Sequence, residues 1–519
     1  MPQSSALLLW LFVRAMLGPT EPVTLTPAAG LWPSSRSADA WLETTAPHMV
    51  ADRFDAGGLS IGRPARLGVH GISAADTTWE IAGLEATSLL RPGLPMALPE
   101  TAGAASIDVT RLSGDFSTGS AGPRIRWTPV NGTQRVGEVE AYLMPSSMAI
   151  TPSATGAQPL AQLKKMADGS LVLAGALTPN TTGMFAGRWA SADRIDRSDP
   201  AVRTANLKSF AAHLRYVPNA LEEAGFTLLA QSAHDAGVAD QYGAAQGTWR
   251  RMGAGGASLS AAGGYQWTTV GDGRVAVRQI DTARDGSAFP ALFRPAGREH
   301  DWRGRAELSS GERRAFGATH VVRLGGTFSR SAIAPKLAAA DILAETVNGA
   351  AARVWRVDAS AARSAWTVTT AAAYAGDRLR FGGASYLEGG LRFDMFRASN
   401  GGATSIAWTS VTPHAALLIA DASSGLGLFA TYTRTGAPLP AMALAFGDAN
   451  APSARVYRWV DANANGQIDG TEASLPSSLV MRAGPGAAGG VTAIDPALRR
   501  PMIDQFVGGV RLERPPQRR

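Results

Sequence analysis

The residues with the sharpest chemical spacing are Asp461, Asn463, Asn465, Gln467, Asp469 and Glu472, with Gly466 inside the run. They satisfy the pattern D-x-[DN]-x-[DN]-G-x5-E, in which oxygens from successive residues converge on a hard cation. Asp461, Asn463 and Asn465 would supply side-chain oxygens, Gln467 a backbone carbonyl, Asp469 a water-bridged contact and Glu472 a bidentate carboxylate. An all-oxygen set suits Ca2+, and with so few carboxylates the expected affinity is the weak one of an extracellular structural site. The flanks are not those of an EF-hand, since Val456–Val460 reads as a strand and Pro476 limits any exiting helix. The spacing therefore fits two structures: a Ca2+-type turn between strands, or a solvated Asx-rich hairpin without metal.

Nothing else in the chain has catalytic spacing. There is no G-x-S-x-G, no P-loop and no H-E-x-x-H, and the seven histidines are isolated from one another. The absence of cysteine excludes a disulfide scaffold, a thiolate metal site and a Cys nucleophile. No catalytic and no cofactor-binding residue is assigned, and a non-enzymatic protein is expected.

The elements that would carry such a loop are strands. Among 519 residues, 58 glycines and 31 prolines leave little room for long helices. Lys+Arg exceed Asp+Glu by 49 − 42 = 7, but only four of the basic residues are lysines and the arginines are scattered among acids. That is not the patch or stripe a nucleic-acid surface needs, so no nucleic-acid partner is expected. An apolar run, Ala6–Val13, has the length of a secretory h-region but lacks a basic n-region and a clean cleavage site. Export through this run and a chance hydrophobic start both fit it.

From about residue 137 onward, segments of about ten residues alternate apolar with small or polar side chains between Gly, Asp, Asn and Pro turns. Phe316, Ala318, His320, Val322, Leu324, Gly326 and Phe328 form one face of such a segment. Gly317, Thr319, Val321, Arg323, Gly325 and Thr327 form the other. At about 45° tilt the two phenylalanines would stand roughly 28 Å apart along a membrane normal, near the ~25 Å apolar band of a transmembrane barrel. The same design recurs at Trp366–Tyr374, Phe210–Tyr216 and Leu426–Tyr432. Alternation alone also fits a soluble sandwich or propeller. The second face here, however, is Thr, Ser, Ala and Gly with sparse Arg, which favours a barrel with a wet interior.

Two patches carry a resemblance. The first comprises His70-Gly71, Thr77–Ile81, Ala82-Gly83-Leu84, Ile107-Asp108-Val109, Ser113-Gly114-Asp115-Phe116-Ser117, Gly119 and Ile125–Thr133. The second is the segment Ile494–Val510. In that order they resemble the plug and a barrel segment of TonB-dependent outer-membrane receptors, particularly the Oar-like group. The family's Asp before the plug glycine is Ala82 here, and its Thr-Lys-Ser-Gly is Thr128-Pro129-Val130-Asn131-Gly132. Glu21–Thr26 is the nearest candidate for a TonB box.

The resemblance implies a mainly β fold, a partial transmembrane antiparallel β-barrel with a small mixed α/β N-terminal plug. The expected division is a leader or linker over 1–40 with a signal-like segment, a plug-like domain over 41–145 and a barrel region over 146–519. That last region would give ~14–18 strands, short of the ~22 of a plugged transporter, so a truncated or reduced barrel is expected. The implied function is ligand binding and gated passage in the Gram-negative outer membrane. Its partners would be outer-membrane lipid, TonB and an extracellular ligand, and the Ca2+-type loop would stiffen one outer loop. The alternative is a secreted or surface-exposed β-rich binding or adhesion protein without transport.

Overall fold

Short apolar stretches broken by Gly and Pro cannot make long strands, and ahead of residue 130 the computed structural model has only short ones. The structure describes residues 23–25, 37–46, 49–52, 61–62, 64–69, 72–110, 115–148, 161–196, 199–235, 238–271, 273–286, 288, 290–358, 363–382, 385–401, 405–421, 426–470, 472, 479–485, 487, 494–495 and 497–512. The signal-like run, His70-Gly71 and Ser113-Gly114 lie outside them. Among the described residues no helix is long and apolar enough to cross a membrane.

The N-terminal unit contains β1 (Val23–Leu25), α1 (Ala38–Thr45), β2 (Met49–Ala51), β3 (Leu67–Val69), β4 (Thr78–Ile81), β5 (Leu84–Glu85), β6 (Ala104–Thr110) and β7 (Arg124–Pro129). Five of the strands form one sheet in the order β1-β6-β7-β4-β5, with β4 parallel to β7, and β2 pairs with β3. Alternation on β7 buries Ile125 and Trp127, which close on Trp79, Ile81, Ile107 and Leu67. Ala38, Trp41 and Leu42, spaced at i, i+3 and i+4, cover that core from the helix.

Twenty further strands follow: β8 (Val136–Met144), β9 (Ala161–Thr178), β10 (Thr181–Asp196), β11 (Asp199–Asn219), β12 (Glu222–Asp235), β13 (Val238–Met252), β14 (Ser258–Val270), β15 (Val275–Asp281), β16 (Phe293–Ser309), β17 (Arg313–Ala315), β18 (Ala318–Ala338), β19 (Ala340–Val347), β20 (Ala350–Asp358), β21 (Trp366–Arg380), β22 (Tyr386–Ser399), β23 (Ser405–Asp421), β24 (Leu426–Gly436), β25 (Ser453–Arg458), β26 (Leu479–Ala483) and β27 (Met502–Leu512). Fourteen of them form one antiparallel path, β8-β9-β10-β11-β12-β13-β14-β16-β18-β21-β22-β23-β24-β27, with β17 beside β18. Among the described residues no ladder joins β27 to β8. The wall thus begins at Val136, inside the stretch expected as plug, because the alternation of β8 pairs it with β9. Residues 23–25, expected as leader or linker, join the plug sheet through β6.

Successive strands run in opposite directions, so their connections fall on alternate ends. One end has the turns 179–180, 220–221, 253–257, 310–317 and 381–385. The other has the long connections 271–292, 339–365 and 437–501. Those three connections together build a second sheet, β15-β19-β20-β25-β26, across the long-loop end. Asn348 and Gly349 (φ 53° and 79°) make its β19–β20 turn, the left-handed pair that suits a two-residue hairpin.

The wall's outward face is apolar, as expected for β18, where Leu324 and Phe328 are 45% and 49% exposed while Thr327 and Ser329 turn inward. Two expectations are corrected. Phe316 is not a strand residue; it sits at φ 50° in the tip before β18, next to Gly317, where the chain must reverse. On β21 the aromatic face points inward, because Trp366 enters the core at the long-loop end and donates to Asp448 Oδ2 at 2.7 Å, while Tyr374 reaches Glu307 Oε2 at 2.7 Å.

The β4–β5 turn is Ala82-Gly83, both left-handed (φ 49° and 94°). A side chain with Cβ pays roughly 1 kcal/mol there, and Asn tolerates the region better. Ala82→Asn should therefore raise plug stability by about 0.5–1 kcal/mol in chemical denaturation of the detergent-solubilised protein. An unchanged or lowered midpoint would contradict this reading of the turn.

Candidate functional site

A strand whose two faces meet lipid-like and wet surroundings can carry charge on every second residue, and β16 does. Glu299, Asp301, Arg303, Arg305 and Glu307 turn to the lumen, while Trp302 (61% exposed) and Leu308 turn out. The plug meets this charged row. Glu299, fully buried, accepts from Ser88 Oγ at 3.1 Å and from the Leu89 and Leu90 amides at 3.1 and 3.5 Å, so a wall carboxyl caps the apex loop of the plug. Arg303 pairs with Asp301 at 2.8 Å and donates to the Thr87 carbonyl at 3.1 Å. On the plug side, burial would push Glu80 up, but Arg124 and Arg126 from β7 and Arg305 from the wall outweigh it and hold its carboxyl below the ordinary value.

The rest of the boundary is built in the same way. Arg188 on β10 bridges plug Glu100 at 2.6 Å and wall Asp168 at 2.7 Å. Burial pushes Glu100 up, partly offset by Arg188. Gln231 donates to the Leu98 carbonyl and accepts its amide, at 3.0 and 2.7 Å. The Asp115-Phe116-Ser117 loop docks as a unit. Burial opposes ionisation of Asp115, but Arg323 at 2.7 Å and the Ser117 amide lower its pKa to about 2. The stability this ion pair supplies is complete above the ordinary Asp value and is lost as pH falls through about 2.

Phe116 enters a slot cut by two wall glycines. A Cβ on Gly390 would stand 2.4 Å from its Cγ, and one on Gly376 would stand 2.4 Å from its Cζ. Arg323 covers the ring at 4.6 Å.

Between plug and wall, toward the long-loop end, lies a cavity of about 300 Å3. The plug lines it with Trp79, Glu80 and Ser117–Ser120, the wall with Arg303, Arg305, Arg392 and Asp394, and the connection 437–501 with Leu439, Pro440 and Arg500. That connection also folds onto the plug apex, where the Ala441 amide donates to the Leu89 carbonyl at 3.2 Å. Charged side chains and apolar ones share the lining of this chamber.

The six residues of the Ca2+-type spacing lie together in the turn after β25, apart from this chamber. Several of their side-chain oxygens accept from amides of the same turn. Asp461 accepts from the Asn465 and Gly466 amides at 3.2 and 2.8 Å, Asp469 from the Glu472 amide at 2.8 Å, and Glu472 from the Ala462 amide at 2.9 Å and Trp459 Nε1 at 3.2 Å. Among the described residues no three His, Cys, Asp or Glu side chains converge as a metal-holding group. Glu21–Thr26 is described only over Val23–Leu25, which pairs with Ile107–Val109.

Sequence reasoning found the Asp115-Phe116-Ser117 loop but missed the charged row on β16. The signal was present in Glu299-x-Asp-x-Arg-x-Arg-x-Glu307, a period-two charge pattern between outward Trp302 and Leu308. Phe116→Ala should cost about 3–5 kcal/mol in plug stability. Gly390→Ala should unseat the plug in the wild type yet cost little in the Phe116→Ala background, as read from proteolysis of the plug. Equal effects in both backgrounds would sink the slot.

The chain matches no protein-family profile and no curated protein sequence. It does match solved structures. The outer membrane transporter YddB from Escherichia coli is similar at a TM-score of 0.57 and 11% identity, over 79% of this chain and 60% of that one. The ferric enterobactin receptor PfeA from Pseudomonas aeruginosa is similar at 0.58 and 12%, over 85% and 69%. The siderophore receptor PirA from Acinetobacter baumannii is similar at 0.58 and 11%, over 86% and 68%. The chain thus spans from 60% to 69% of the length of these proteins. At this identity the likeness establishes the fold, that of a plugged β-barrel.

Proposed function

We propose that this chain is an outer-membrane receptor of the TonB-dependent type, binding a ligand on the long-loop side of its plug and gating passage through the barrel. The observation that carries the reading is the division of the wall into two solvents. Trp189, Trp302, Leu324, Phe328, Leu391 and Val510 stand exposed on the outside, an apolar surface that monomeric soluble proteins rarely keep. Charged side chains fill the inside and close on the plug. A secreted β-rich adhesion module has no need of either feature.

A small extracellular ligand fits the size and position of the chamber, and the siderophore receptors among the similar structures support that class. Membership of the Oar-like group rests on the two sequence patches, which fall on β4–β7 and around β27. Coupling to TonB rests on the plug fold and on the strand at Val23–Leu25. The activity on this reading is binding and gated passage without covalent chemistry.

Fractionation with Gram-negative outer membranes, and a gel mobility that changes on boiling, are the expected outcomes for the expressed chain. Recovery as a detergent-free soluble monomer would overturn the proposal.

A further inference from the structure

The chamber's charges are unevenly distributed. Arg124 has Glu80, Arg303 has Asp301, and Arg305 has Glu307 at 3.0 Å. Arg392 and Arg500 share one carboxylate, Asp394, at 2.8 and 4.0 Å. Arg500 is otherwise fixed by neutral acceptors: Ser410 Oγ at 3.0 Å, the Gly436 carbonyl at 2.9 Å and the Ala437 carbonyl at 3.2 Å. Burial, offset by Asp394 and reinforced by Arg392, pushes the Arg500 guanidinium down from its ordinary value. Asp76 and Glu85 are the other carboxylates on the lining: burial pushes Asp76 up, and Glu85 lies 3.3 Å from Arg303. At the meeting point of β22, the outer connection and the plug, two guanidinium groups therefore have a single carboxylate between them. Buried charges shared in this way call for a counter-ion or ligand.

The surrounding groups are shaped to receive one. Arg392 Nη1 is spent on the Ser117 carbonyl at 2.6 Å, while Nη2 stands over Gly119, 3.1 Å from where a Cβ would be. Glycine there keeps the approach to Nη2 open. Ser117 is more than nine-tenths buried and lines the chamber. Its Oγ lies near enough to Asp115 to be felt by that carboxylate, yet it finds no partner of hydrogen-bonding geometry. Two guanidinium groups and one orphaned hydroxyl donor thus border the same space.

We propose that Arg392, Arg500 and Ser117 form an oxyanion seat in the chamber, taking a carboxylate or phosphate group of the ligand. The proposal rests on the reading of the chamber as the ligand site. A planar or tetrahedral oxyanion supplies the oxygens that Arg392 Nη2, the Arg500 fork and the Ser117 hydroxyl can donate to, and its charge complements the two guanidinium groups that share Asp394. Neutral ligand portions would occupy the apolar side of the chamber near Trp79 and Leu439.

The test titrates inorganic phosphate and, separately, citrate into the purified full chain in detergent, followed by calorimetry and by tryptophan fluorescence. Saturable binding of either anion is expected, and the tighter of the two assigns the seat to phosphate or carboxylate chemistry. Arg500→Gln should weaken that binding by about tenfold or more, since hydrogen bonds to charged groups are the strong ones. Arg500→Lys, which keeps the charge but not the fork, should fall between, and Ser117→Ala should weaken binding by a smaller factor. Arg500→Gln binding like wild type, or no saturable binding of either anion by wild type at about 10 mM, would overturn the seat. A protein that fails this test yet still fractionates with outer membranes and shifts on boiling leaves the receptor reading standing, so the two failures are distinct.

Discussion

Charge inside the barrel must find a partner across the boundary between plug and wall. Glu299, Asp301, Asp168 and Arg188 are buried on lumen-facing positions of the wall, and several of their partners belong to the plug. Removing one member of a buried ion pair without replacing it costs on the order of 3–5 kcal/mol. An empty, dry lumen lined this way would not stand. Either the plug fills it or water does, and the same groups accept both. A polar boundary can therefore open when water follows the plug out, whereas an apolar one of similar area would resist. On the proposed reading, gating would follow from this choice of side chains.

The long-loop end obeys a different logic. There the connections 271–292, 339–365 and 437–501 bury an apolar cluster that includes Trp355, Trp366, Val456 and Leu444, with Leu90 of the plug at its lower edge. Trp366 and Trp408 each satisfy their indole N–H on that side, on Asp448 and the Leu498 carbonyl. This gives the outer end a core of its own, and it holds Leu439, Pro440 and Arg500 over the chamber. The Leu89 peptide joins the two systems, since its N–H goes to Glu299 of the wall and its carbonyl to Ala441 of the outer connection. A ligand seated in the chamber, as proposed, would rest against both.

Strands with one apolar and one polar face were legible in the sequence because period two is local. Leu324, Phe328, Leu214 and Leu428 face outward as their alternation required. Which face is outside is not local, and Trp366 and Tyr374 show it: a partner elsewhere in the chain, Asp448 or Glu307, decides the direction. The second sheet was illegible for the same reason, since β15 and β19 pair in parallel only after the barrel brings two distant connections to one end. Phe116 could be read from the plug-like patch, but its slot depends on Gly376 and Gly390 in two other strands. The Asp461–Glu472 spacing was complete, yet spacing does not say whether oxygens face a cation or the loop's own amides.

On the receptor reading, the apolar face of the wall meets lipid while the charged face meets the plug. The chain has no native cysteine, so single cysteines can be placed at Leu324 and Phe328 on one face of β18 and at Thr327 and Ser329 on the other. After bimane labelling and reconstitution with nitroxide-bearing lipids, the first pair should be strongly quenched and the second pair spared. Equal quenching of the two faces, or quenching of neither, would contradict a membrane wall around a plug.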